Sequence, residues 1–157
     1  MISLKFLIKN HYIEAQLHAI DKVDATLPPC LLYVLEPMRS NWGRDMPGEF
    51  QALDYFLSQL PQLDFPASIH IRLRPHPSDA PGKYHDWVAE HSALNIQMDN
   101  SLNIAQSIGC SSWVAGCESF ALVLALRAGR KTYCTLPPWA PACRLPHNGL
   151  VFINKQM

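Results

Sequence analysis

The tetrapeptide Arg74-Pro75-His76-Pro77 places a guanidinium and an imidazole two residues apart on a backbone stiffened by two prolines. That pair suits a phosphate. Arginine offers a planar fork of donors, and histidine adds a donor whose charge changes near neutral pH. The plain alternative is a strand ended by prolines with His76 solvated. A second group is Gly116-Cys117-Glu118-Ser119. Ser119 and the free amides of a starting helix suit an anion, while Glu118 can accept hydrogen bonds from ribose hydroxyls. An ordinary helix cap, with Glu118 favourable against the helix dipole, explains the same residues. Ser111 and Ser112, together with Ser101, are either nucleotide contacts or turn formers. Arg39, in Glu36-Pro37-Met38-Arg39, either reaches a ligand from the end of a strand or lies in a surface loop.

These residues matter only if the chain gathers them, and its rhythm says how. Cys30–Glu36 is a continuous apolar run, as in a strand covered on both faces. Glu49–Leu60 carries a helical apolar stripe stopped by Pro61. Further strands are expected at Ser68–Arg74, Leu94–Met98, Ser111–Ala115, Lys131–Leu136 and Leu150–Asn154. Helices are expected at Lys83–His91, at Ser101–Ile108 with Ser101 as N-cap, and at Ser119–Ala128, ended by Gly129. Strands alternating with helices through short connections predict a single-domain α/β fold, a doubly wound, Rossmann-like parallel sheet in three layers. Ligands of such sheets lie at the carboxyl ends of the strands. The domain is expected over 30–157. Residues 1–29 form a lead-in or linker, with helical spacing from Tyr12 to Val23. One strand is anomalous: His70, Arg72 and Arg74 share a face opposite Ile69, Ile71 and Leu73, which implies a strand near a sheet edge or a face lining a charged groove.

Composition removes several functions. Thirteen basic side chains balance thirteen acidic ones, so a nucleic-acid partner is not expected. No stretch approaches the ~20 apolar residues of a bilayer span, and the opening MISLKFLIKN lacks the pattern of a signal peptide. The five cysteines are odd in number and scattered, without metal-binding spacing, and read as small buried hydrophobes in a reducing cytoplasm. No metal site or cofactor is expected. No GxSxG elbow marks a hydrolase.

The succession RPHP (Arg74–Pro77) followed by SSWVAGCESFALVLALRAGRKTY (Ser111–Tyr133) resembles the carboxyl-terminal half of bacterial GT-B glycosyltransferases, of the sialyltransferase-like and surface-polysaccharide type. The resemblance covers roughly Cys30 to Leu136. It implies that His76 and Arg74 bind the donor phosphate as the catalytic pair, and that Glu118 and Ser119 contact the nucleotide. It also implies a nucleotide sugar as ligand, an acceptor-binding domain or subunit as partner, and a cytoplasmic place, free or peripheral to the inner membrane. The chain departs from the family in two ways. No complete amino-terminal acceptor domain precedes Cys30 in this sequence, so transfer by the isolated chain is not expected. Ala125 and Arg127 stand where retaining relatives often carry a glutamate. The absence of a DxD motif agrees with metal-independent chemistry. The expected function is therefore the donor-binding half of a glycosyltransferase making surface polysaccharide or glycolipid. The alternatives are a noncatalytic nucleotide- or sugar-phosphate-binding module and a purely structural partner domain.

Overall fold

Strand β1, Cys30–Val34, is apolar throughout and buried at every position, so it has helices on both sides. The computed structural model describes residues 4–22, 26, 28–145 and 148–155. Around β1 the chain builds β2 (His70–Arg74), β3 (Ile96–Met98), β4 (Trp113–Gly116), β5 (Lys131–Cys134) and β6 (Val151–Phe152). They form one six-stranded sheet in the order β3-β2-β1-β4-β5-β6, and every neighbouring pair is parallel. This is the doubly wound Rossmann-like arrangement, with the order reversing between β1 and β4.

Alternate residues of the strands feed two cores. Leu31, Tyr33, Ile71 and Leu73 pack with Leu53 and Phe56 of α2 (Gly48–Gln59) and Trp87 of α3 (His85–Glu90). Leu32, Val34 and Val114 pack on the other face with Ile13 of α1 (Leu4–Ala19), Ile108 of α4 (Ile104–Gly109), and Leu122 and Leu124 of α5 (Phe120–Arg127). Three layers result, and α1 belongs to one of them.

The elements differ from the sequence expectation mainly at their ends. Helix α1 occupies Leu4–Ala19 rather than Tyr12–Val23; lysine is a good helix former, so Lys5 and Lys9 do not interrupt it. Val23 lies outside the described residues. The chain leaves the helical path where the Asp21 carbonyl accepts a hydrogen bond from Arg130 at 2.6 Å. Helix α4 starts later than expected, with Asn103 as its cap: Asn103 Oδ1 accepts from the Gln106 amide at 2.9 Å. Ser101 is instead drawn to Asp99, donating its hydroxyl at 2.9 Å. Strand β2 lies near a sheet edge, as its pattern implied, one position in from it beside β3. Its His70, Arg72 and Arg74 are half-buried. Of the cysteines, Cys30, Cys117 and Cys134 are buried, but Cys110 is exposed, against expectation, at the end of the short α4. Among the described residues no helix is long and apolar enough to cross a membrane.

Candidate functional site

At the carboxyl ends of β1 and β4 the chain departs to opposite faces, toward α2 from one strand and α5 from the other, and a crevice opens between them. Gly116 lets the two strands and α5 close up beneath it. A Cβ there would stand 2.9 Å from the Val34 carbonyl and 3.3 Å from Leu122. The crevice is a cleft of about 910 Å³, walled by loops that follow β1, β2, β4 and β5.

Its floor is a charge network. Glu36, just past β1, accepts the Glu118 backbone N–H at 2.6 Å, so a carboxylate bridges the two strand ends. Arg39 donates to Glu36 and, at 2.9 Å, to Glu118. From the loop after β5, Arg144 donates its backbone amide and its guanidinium to Glu118, at 3.0 and 3.1 Å. Burial works against ionising Glu118, but the hydrogen bonds from Arg39 and Arg144 outweigh it and hold its carboxyl down at about 2. A third carboxylate braces Arg39 from behind. Glu49 accepts the Arg39 amide at 3.1 Å and the Lys83 ammonium at 2.5 Å. Trp42 completes the wall, its ring centroid 5.5 Å from the Arg39 guanidinium. Its φ of 49° is uncommon for so bulky a residue, and it is followed by Gly43 at 77°.

His76 stands on the β2 side of the cleft, and its ring is oriented. Nδ1 accepts the Ser78 backbone N–H at 3.1 Å with the Ser78 hydroxyl at 2.7 Å. In the neutral ring that acceptor role assigns the proton to Nε2, leaving an N–H to offer a ligand. Ser119 caps α5, its hydroxyl accepting from the Ala121 amide at 3.2 Å. The amino end of α5 therefore opens into the cleft.

The cleft thus collects Arg39, His76, Glu118 and Ser119 from the residues singled out in the sequence. Arg74 lies next door. Its Nη1 donates to Asp99 at 2.9 Å, to the Ser107 hydroxyl at 3.0 Å and to the Ser101 carbonyl at 3.2 Å. Asp99 is held below the usual carboxylate range, since bonds from Ser107, Arg74 and Ser101 overcome the opposing effect of burial. Ser111 and Ser112 are elsewhere. They precede β4, whose Trp113 pairs with Leu31 near the start of β1, so they sit at the amino edge of the sheet. There the Ser111 hydroxyl bonds the Ser107 carbonyl at 2.8 Å and the Ser112 amide bonds the Cys30 carbonyl.

Sequence reasoning missed Glu36, Trp42 and Arg144 as site residues. The available signal was positional: each follows, or stands near, the carboxyl end of a strand in a doubly wound sheet. Chemically, the cleft pairs two carboxylates with two guanidiniums and leaves the His76 ring as a fifth polar group. An ionised carboxylate offers about four acceptor positions, so Glu36 and Glu118 keep room for hydroxyl donors beside their arginines. Among the described residues no group of three or more His, Cys, Asp or Glu is placed to hold a metal ion. No protein-family profile matches the chain, and no curated protein aligns with it significantly.

Proposed function

We propose that this chain is a nucleotide-sugar-binding domain, the donor half of a glycosyltransferase that works with a separate acceptor-binding domain or subunit in surface polysaccharide or glycolipid synthesis. One observation carries the reading. An oriented imidazole, the capped start of a helix and a pair of carboxylates converge on one cleft at the point where the strand order reverses. The phosphate of the donor lies against His76 Nε2, the Ser119 hydroxyl and the amino end of α5. The exposed Arg144 guanidinium, held on Glu118, lines the same cleft. Glu36 and Glu118 accept hydrogen bonds from ribose or sugar hydroxyls. As the sugar departs, charge grows on the phosphate, and donors already aimed at it lower the barrier. His76 offers a proton to the departing oxygen. Arg74 acts from behind, tying the ends of β2 and β3 so that the His76 loop keeps its place.

A noncatalytic nucleotide- or sugar-phosphate-binding module is the second reading. It is favoured by the engagement of both Arg39 and Arg74 with carboxylates, which leaves less free positive charge to stabilise a leaving phosphate. A melting-temperature screen against CMP, CDP, UDP, GDP and their sugars tests both. A ligand that binds only the folded state raises the melting temperature by mass action. A rise with a nucleotide sugar, reduced in His76→Ala, is expected. No rise with any of them would defeat both readings. Binding without donor hydrolysis or transfer, even beside an acceptor domain, would leave only the second.

A further inference from the structure

A chain of bonds behind the walls of the cleft joins its His76 side to its Arg39 side. The His76 amide donates to Asp79 Oδ2 at 3.0 Å. Asp79 Oδ1 accepts the Lys83 ammonium at 3.1 Å, and the same ammonium donates to Glu49 Oε2 at 2.5 Å. Glu49 Oε1 accepts the Arg39 amide at 3.1 Å. His76, Asp79 and Lys83 belong to the stretch between β2 and α3, whereas Arg39 and Glu49 belong to the stretch that runs from β1 into α2. The Lys83–Glu49 pair is therefore the step that crosses from one stretch to the other.

This pair is no solvated surface contact. The Glu49 and Asp79 side chains are 2% and 5% exposed, that of Lys83 is 20% exposed, and the ring of the buried Tyr84 lies 5.3 Å from the ammonium. Burial opposes the charge on Lys83, but its hydrogen bonds to Glu49 and Asp79 outweigh that and raise its pKa above the usual lysine value. The ammonium cannot withdraw without leaving two buried carboxylates short of an ionic partner. Lys83 itself does not line the cleft.

We infer that Lys83 is a positioning residue, which fixes the distance between the His76 side of the cleft, where a phosphate lies, and the Arg39 side, where Glu36 and Glu118 take hydroxyls. This rests on the donor-binding reading for what the cleft holds, and adds to it the residue that sets the span of the ligand. A ligand that touches both sides at once, as a nucleotide sugar does, depends on that distance.

Two measurements on the whole chain test the assignment, the first of them without ligand. The indole N–H signal of Trp42, assigned by NMR through Trp42→Phe, reports the Arg39 side, because that ring lies beside the Arg39 guanidinium and against Gly48 at the start of α2. Asp79→Asn, made on the His76 side, should move the signal, and should leave it in place when Lys83→Met is already present. Should Lys83→Met fail to fold, the double variant Glu49→Gln, Lys83→Met takes its place, since it removes one stranded charge and the glutamine carbonyl still accepts the Arg39 amide. The second measurement is calorimetry with the nucleotide sugar that most raises the melting temperature. Its affinity should fall about tenfold in Lys83→Met, the worth of one charge-assisted hydrogen bond. A Trp42 signal unmoved by Asp79→Asn, or moved equally with and without Lys83, would overturn the inference. So would full affinity in the Lys83 variant. If no nucleotide sugar binds the unmutated chain, the donor-binding reading falls, and the Trp42 signal alone decides the role of Lys83.

Discussion

Arg39 and Arg74 both stand at the carboxyl edge of the sheet, yet their surroundings assign them different work. Arg39 lies on a loop and joins two carboxylates from two strand ends, on the wall of an open cleft. Arg74 closes a strand and turns toward Asp99, whose side chain is 1% exposed, and toward the hydroxyl of Ser107 in α4. The first network lines the open cleft, although its side chains are only 9–15% exposed. The second cannot give up a member without leaving a charge buried. Residue type and strand-end position did not separate the two; the identity of the acceptor did.

The largest effect expected from this contrast is on folding. Arg74→Ala strips Asp99 of its ionic partner and should cost about 3 kcal/mol in denaturant unfolding, the usual penalty for orphaning a buried charge. Nucleotide affinity of the folded variant should change little. Affinity lost with stability intact would mean that Arg74 faces the ligand after all. Gly116→Ala comes next. Its methyl would press on the Val34 carbonyl at 2.9 Å, and overpacking of that kind costs about 1–3 kcal/mol. Binding should fall with it, since β1 and β4 would part beneath the cleft.

Acid sharpens the comparison. Glu118 has its ordinary carboxyl value of 4.5 lowered to about 2 by folding, and Asp99 is lowered as well. Groups depressed in the folded state contribute stability in full above their unfolded values and lose it as the pH falls through the folded ones. Melting temperatures should therefore decline as pH drops from about 4.5 toward 2. Arg39→Ala should remove part of that decline, because Glu118 then lacks one of the partners that keep it ionised. An unchanged acid profile in that variant would assign the effect to Asp99 and Arg74. Smallest in stability is Arg144→Ala. Its side chain is 88% exposed, so the melting temperature should move little, within about 0.5 kcal/mol of stability. Nucleotide-sugar affinity should still fall severalfold in calorimetry, since a guanidinium at the cleft is lost.

Much of the architecture could be read from the chain alone, because the parallel sheet imposes a simple pattern. Buried strands such as Cys30–Val34 are apolar at every position, and α5 is bounded by Ser119 and Gly129. Ends governed by tertiary contacts were less legible. Asn103 caps α4 while Asp99 takes the hydroxyl of Ser101 two residues on, and Asp99 is itself held by Arg74 at the end of the neighbouring β2. In the site, His76 and Ser119 stood out through their prolines and their helix start. Glu36 and Arg144 did not, since each acquires its place only when loops 82 and 26 residues from Glu118 fold against it. Ser111 and Ser112 show the converse: hydroxyls adjacent to a promising strand, but at its amino end.

The central claim is that the donor phosphate lies on His76. Titration of the whole chain with the best-bound nucleotide sugar, followed by the imidazole NMR signals assigned through His76→Gln, tests it directly. The account predicts that the His76 ring signals shift and saturate with the calorimetric Kd, while those of His85 and His91 stay in place. A ligand that binds with full affinity and leaves the His76 signals unmoved would contradict it.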